Sequence, residues 1–228
     1  MTDEYGIDLD GLSLEFLRAT VEEGYLLPSE KVLTESVQDR FAKLESMGIS
    51  SLGHLADSLS TKKKIERFSE DSGIPQEYLG ILRRRVGLYT PKPKPLNKMI
   101  GIDSKHIASL AALGIKDTRQ LFERVKHRQG RTELAEQSNI PEDILLELTK
   151  MTDLSRAPYV GPVYARLLYE AGADTLEKLS ASDPARLLDK LREINDKLRL
   201  TKGGLPTSVS EMESFLGIVQ MIPKAIEY

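Results

Sequence analysis

At 228 residues, with 40% hydrophobic and 29% charged side chains, the chain exceeds the usual single-domain size and has ample material for a core. It contains no Cys, which excludes disulfides, thiolate metal sites and cysteine nucleophiles and fits a reducing cytoplasm. The net charge of −3 is segregated: residues 1–36 carry 9 acidic and 2 basic side chains (net −7), and residues 62–131 carry 7 acidic and 17 basic (net +10). Asymmetry of this size predicts that the middle of the chain meets something anionic, or meets the chain's own acidic ends.

In chain order, the opening Met1-Thr2-Asp3-Glu4-Tyr5-Gly6 is acidic and does not read as a signal peptide. No apolar run approaches the roughly 20 residues that span a bilayer. A soluble, cytoplasmic protein with no membrane partner is expected. Residues 1–35 read as an acidic helical cap, with Leu12, Leu14, Leu17 and Val21 at helical spacing and a second start at Pro28-Ser29.

Residues 36–90 form a first helical repeat. Phe41, Leu44 and Met47 share one helix face, Gly48 is a left-handed stop, and Ile49 is the apolar residue that follows it. Leu52, Leu55, Ala56 and Leu59 open a second short helix, and Ile65 and Phe68 belong to a third that ends at Ser72-Gly73. Pro75 starts a fourth, whose core face is Tyr78, Leu79, Leu82 and Val86. Residues 91–98, rich in Pro and Lys, read as an extended linker.

Residues 99–156 repeat the first unit. With Phe41–Leu88 laid on Ile107–Leu154, a shift of 66 residues, 12 of 48 positions are identical, among them Gly48 on Gly114 and Pro75 on Pro141. Asn139 stands where the first unit has Gly73, and both residue types tolerate positive φ. A shorter third copy, residues 157–200, aligns Gly172 with Gly114 and Leu176 with Thr118. Residues 201–228 are a flexible turn and a last helix, capped by Thr207 or Ser208 and stopped near Pro223. Period-2 alternation is nearly absent. The expected fold is all-α, a tandem array with helical caps at both ends.

The third unit carries the most specific local motif: Ala157-Pro158-Tyr159-Val160-Gly161-Pro162-Val163-Tyr164-Ala165-Arg166, followed by Ala171-Gly172-Ala173. A helix ending near Ser155, a tight turn on a buried Val160, and Pro162 at the first position of the next helix account for it. The stretch resembles the helix-hairpin-helix motif, and residues 36–200 together resemble a bacterial family of tandem helix-hairpin-helix proteins of unknown function. The resemblance implies binding of nucleic-acid backbone without sequence reading. Helix N-terminal N–H groups would meet phosphate oxygens. Carried onto this chain, the candidates are the backbone of Gly161, Val163 and Tyr164, with Arg166 as a nearby cation. Two residues depart from the family pattern here: Tyr159 stands in place of its first Gly, and Pro162 has no N–H. In the second unit Asp103 replaces the Gly before the helix, where its carboxylate is positioned to cap the N–H groups itself. The competing reading is that the hairpins are structural joints.

The basic middle supplies the second set of candidates: Lys62, Lys63, Lys64, Arg83, Arg84, Arg85, Lys92, Lys94, Lys98 and Lys105. Binding through them would be phosphate-dominated and salt-dependent. Three successive arginines cannot share one helix face, so at least one must pair internally or lie over apolar surface. Tyr89 is either a core residue or a stacking group within this cluster.

Catalysis is not expected. His54, His106 and His127 lie in no metal-ligand spacing, and no phosphate-loop, dinucleotide or nucleophile-elbow motif is present. No cofactor or metal is expected. The sequence therefore points to a non-enzymatic nucleic-acid-binding array, with a protein-interaction scaffold or self-assembling adaptor as the alternative.

Overall fold

Helix periodicity and, for about half of the helices, a side-chain cap account for the elements of the computed structural model, which describes residues 4–228. The first three residues of the acidic opening, Met1-Thr2-Asp3, lie outside the described residues. Among those described there is no strand, only isolated bridges at Ser13–Ser51 and Pro95–Asp117. The chain divides into two units, residues 7–90 and residues 91–228, the latter joined by residues 4–6.

In the first unit, α1 (Leu14–Glu22) begins where the Ser13 hydroxyl accepts the Phe16 N–H at 3.1 Å, and it buries Leu14, Leu17 and Val21. Pro28–Thr34 is a 3-10 helix rather than an α-helix. Then come α2 (Val37–Ser46), α3 (Leu52–Ser58), α4 (Lys62–Ser72) and α5 (Gln76–Val86), with a short 3-10 turn at Gly87–Tyr89. The α5 helix buries Tyr78, Leu79, Ile81, Leu82, Arg85 and Val86 and packs on α3, α4 and the 28–34 turn. A fully buried leucine such as Leu79 or Leu82 contributes about 1.5–3 kcal/mol relative to exposure. Tyr89 is 1% exposed and packs edge-on against Phe16, so it is a core residue.

The second unit contains α6 (Ser104–Ala112), α7 (Thr118–Val125), α8 (Arg128–Ser138), α9 (Glu142–Leu154), α10 (Pro162–Glu170), α11 (Leu176–Ser180), α12 (Pro184–Leu198) and α13 (Val209–Met221). The α9 helix packs against α7, α8 and α10, while α13 packs against α11 and α12. The Pro-Lys segment is tied down rather than loose. Leu96 N–H donates to the Lys116 carbonyl (2.9 Å), Thr118 N–H to the Lys94 carbonyl (2.9 Å), and Lys94 N–H to Thr118 Oγ1 (2.9 Å).

One local geometry recurs three times. Gly48, Gly114 and Gly172 all have left-handed φ (+83°, +81°, +78°), which ends the preceding helix without Cβ strain. After each comes a capping side chain: Ser51 accepts from His54 N–H, Asp117 from Gln120 N–H and Thr175 from Lys178 N–H. Gly73 and Asn139 likewise end α4 and α8 in the left-handed region, as their sequence positions lead one to expect.

A fully buried arginine organises the second unit. Arg156 Nε donates to the Tyr5 carbonyl (3.0 Å), its Nη2 to the carbonyls of Glu4 (2.8 Å) and Pro223 (2.7 Å), and its Nη1 to Asp153 Oδ1 (2.5 Å). It lies over the Phe122 ring, which meets Tyr5 edge-on at 5.2 Å, with Ile226 in the same cluster. Asp153 Oδ2 accepts from Leu176 N–H (3.2 Å) and the Tyr228 hydroxyl (2.9 Å). One guanidinium–carboxylate pair thus pins residues 4–5, Pro223 and Tyr228 to the end of α9.

Candidate nucleic-acid interface

The basic candidates of the first unit sit at opposite kinds of helix end. Arg83, Arg84 and Arg85 form the last turn of α5, where the macrodipole is negative and cations are stabilising. Helix electrostatics favours cations at this end. Lys62, Lys63 and Lys64 form the first turn of α4, which contains no acidic residue, so three cations face the positive end of the dipole. Each is unfavourable there by about 0.3–1 kcal/mol at low ionic strength. Thr61 caps the helix through Lys64 N–H, Lys64 Nζ donates to the Asp57 carbonyl (2.7 Å), and Lys62 makes only a long, exposed contact with Glu66 (3.7 Å).

The arginine triplet splits as helix geometry requires. Arg83 and Arg84 are exposed, whereas Arg85 is buried and pairs with Glu30 at 3.3 Å. Acidic side chains of the first 36 residues meet the basic middle here and at Glu4–Lys126 (3.0 Å). That contact, with Glu123, raises the Lys126 pKa.

In the second unit Lys92 and Lys98 are exposed. Lys94 is half-buried, and burial, followed by neighbouring Lys92, lowers its pKa. Lys105 is exposed and pairs with Asp103 at 3.3 Å. Asp103 Oδ1 accepts the Lys105 N–H at 2.9 Å, a bond that holds this carboxyl below its usual pKa. The N-terminus of α6 therefore already holds an anion of its own, as the sequence at Asp103 foretells.

The 157–162 hairpin is built differently. Val160 is fully buried and Tyr159 adopts φ +63°. Gly161 N–H donates to the Tyr159 carbonyl (3.0 Å), so this donor is used inside the turn. Gly161 offers α10 no side-chain cap and Pro162 has no N–H, which leaves the first-turn amides of Val163 and Tyr164 as available donors. The Tyr164 side chain is buried against Phe215, its hydroxyl has no hydrogen-bond partner, and burial pushes its pKa up.

Arg166 does not extend toward this turn's surface. It is 7% exposed, donates from Nε and Nη2 to the Ile100 carbonyl (2.9 and 2.7 Å), and pairs with Glu170 (3.0 Å) and Glu147. Its guanidinium lies against Gly101, where a Cβ would overlap it and where φ is +83°. Arg166 thus locks the 100–103 turn to α10, a role with no signature in sequence because its main acceptor is a backbone carbonyl.

Among the described residues no cluster of His, Asp and Glu is arranged to hold a metal, and no helix is long and apolar enough to cross a membrane. Residues 100–215, just over half of the chain, match the family described as Domain of unknown function (DUF4332). No curated protein and no solved structure matches the chain.

Proposed function

Starting from a chain that belongs to the DUF4332 family, we propose a non-enzymatic helical protein that binds nucleic acid through the phosphate backbone without reading sequence. DNA is the first substrate to test and a cytoplasmic setting is assumed. In this reading the turns at 100–103 and 157–162 are helix-hairpin-helix elements of a tandem array related to the bacterial family described above. The observation that carries it is the lysine triplet Lys62-Lys63-Lys64 on the first turn of α4. It opposes the helix dipole, is exposed, has no acidic residue in its own turn, and among the described residues its one ion pair is the long, exposed Lys62–Glu66 contact (3.7 Å). A phosphate backbone would neutralise it and release counterions. The Val163 and Tyr164 amides, together with exposed Lys92 and Lys98, offer further contacts.

A protein-interaction scaffold, with both turns as structural joints, is the second reading, supported by the internal commitments of Arg166 and Asp103. Fluorescence anisotropy with labelled single- and double-stranded DNA and RNA, titrated over salt, separates the two. The nucleic-acid reading expects binding that falls steeply with salt, is indifferent to sequence, and weakens in Lys62→Glu/Lys63→Glu. Absence of binding at low salt would leave the scaffold reading.

A further inference from the structure

Four arginines are buried among the described residues, and three of them meet a carboxylate: Arg85 with Glu30, Arg156 with Asp153, and Arg166 with Glu147 and Glu170. Arg131 is the exception. It is 9% exposed, enters no ion pair among the described residues, and donates only from Nη1, to the Val125 carbonyl (2.9 Å). Burial lowers its pKa. Glu227 acts on it only from beyond ion-pairing distance and contacts His127 instead (3.5 Å). The Nε and Nη2 of Arg131 are not sealed in the core, as Arg85 Nε is, so they open to the space beside α8. A guanidinium withdrawn from water without a counter-charge is costly, and one anion at those two nitrogens removes the cost.

That space is a cleft of about 620 Å³ between α8 and α9, a size typical of small-ligand sites. Arg128, Arg131 and Thr132 line it from α8, and Leu145, Leu146 and the Tyr228 ring supply an apolar side. The Tyr228 hydroxyl donates to Asp153 Oδ2 (2.9 Å), which fixes the ring. Exposed Arg128 stands one helical turn before Arg131. The first turn of α8 has no acidic residue and no side-chain cap, so its dipole adds to the positive potential. Glu142 and Asp143 also line the cleft, are exposed, and pair with neither arginine. Lys150, the remaining cation there, is engaged by Asp174 (2.5 Å). An arginine-bearing end beside apolar surface fits an anion with an apolar body. The two carboxylates disfavour a polyanion such as a nucleic-acid strand and select for a single negative charge.

We propose that this cleft binds a small organic carboxylate with an apolar body. The carboxylate oxygens meet Arg131 Nε and Nη2, the edge of a guanidinium suited to a bidentate pair, and Arg128 adds charge beside them. The body lies over Leu145, Leu146 and the Tyr228 ring. The site is independent of the nucleic-acid reading, because Arg131 is withdrawn from the surface that a phosphate backbone would touch.

The test is a nuclear magnetic resonance titration of isotope-labelled full-length protein, with the Arg131 Nε–H resonance assigned by its loss in Arg131→Met. The probes are phenylpropionate, the uncharged phenylpropionamide and phenyl phosphate. Phenylpropionate is expected to shift this resonance saturably, and the amide to bind at least about tenfold more weakly. Phenyl phosphate, which brings more negative charge toward Glu142 and Asp143, is expected to bind more weakly than phenylpropionate. Arg131→Met strands no paired carboxylate, so it should remain folded. Read from the Leu145 and Leu146 methyl resonances, it should bind phenylpropionate at least about tenfold more weakly. Arg128→Ala, at an exposed position, repeats the test without touching the core, and several-fold weaker binding is expected. Absence of a saturable shift, equal binding of the amide, a preference for phenyl phosphate, or unchanged affinity in either arginine variant would overturn the carboxylate site.

Discussion

Glu30 and Arg85 form an ion pair at 3.3 Å with side chains only 8% and 6% exposed, joining the acidic opening segment to the arginine triplet. Glu30 Oε2 also accepts the Leu27 N–H at 3.0 Å, so the carboxylate both caps the 28–34 turn and meets the guanidinium. Removing one partner strands the other charge in the core. Arg85→Ala should therefore cost about 3–5 kcal/mol in urea unfolding. Arg83→Ala, at an exposed position one residue from Arg84, should stay within about 0.5 kcal/mol. Comparable losses for both variants would contradict the inward assignment of Arg85. Charge reversal for binding studies thus belongs at Arg83 and Arg84, not at the whole triplet.

Arg156 satisfies three backbone carbonyls and Asp153 from a fully buried position. Arg156→Met keeps much of the volume but leaves those acceptors and one carboxylate unpaired. The expected loss is at least about 3 kcal/mol. Protection of the Glu227 amide, which donates to the Lys126 carbonyl, should collapse in hydrogen exchange along with it. Retained protection would show that Ile226 and the Tyr5–Phe122 cluster hold the segment without the arginine.

Lys62→Glu/Lys63→Glu separates stability from binding. Acidic residues at the first turn of α4 complement the dipole, so the variant should gain up to about 1 kcal/mol in thermal or urea unfolding, chiefly from Lys63→Glu, because Lys62→Glu meets Glu66 four residues on. Under the proposed function the same variant loses nucleic-acid affinity and shows a shallower salt slope. A more stable protein with unchanged affinity would remove the lysine triplet from the interface. Excision of residues 1–36 cannot serve as the equivalent test, because Leu14, Leu17, Val21 and Leu33 are core residues of the first unit. Glu4→Gln, which releases Lys126, is the milder probe of acidic shielding.

Acid sensitivity should concentrate partly at Asp174. Burial alone would raise its pKa, but bonds from Lys150 (2.5 Å) and Lys178 (2.6 Å) outweigh it and the pKa is lowered. A carboxylate whose folded pKa is depressed contributes stability that is present above the unfolded value, about 3.9, and is lost as pH falls through the folded one. Asp174→Asn should lower stability at pH 7 and flatten the stability–pH curve below about pH 4. A curve that keeps the wild-type slope there would rule out this contribution.

Much of the local structure was legible because it depends on neighbours in sequence. Gly48 and Gly114 stop helices, Asn139 substitutes for Gly73, and Pro162 opens α10, all from backbone preferences within one turn. That at least one of three consecutive arginines must pair internally or lie over apolar surface also followed from helix geometry. Which one did so was hidden, since Glu30 lies 55 residues away and nothing local distinguishes Arg85 from Arg83. The candidate site was legible only as charge. Lys62, Lys63 and Lys64 could be named, but Arg166, read as a cation near the hairpin, is spent on Ile100, Glu147 and Glu170.

The sequence by itself determined where helices begin and end and which faces are apolar, because capping, left-handed glycines and 3.6-residue periodicity are set by residues a few positions apart. Only the tertiary structure decided which cations remain available. Buried arginines such as Arg156 and Arg166 are held chiefly by backbone carbonyls, 151 and 66 residues away, and every residue type carries such a carbonyl. An acceptor common to all residues leaves no trace in composition or spacing, so the commitment of these side chains appears only once the chain is folded.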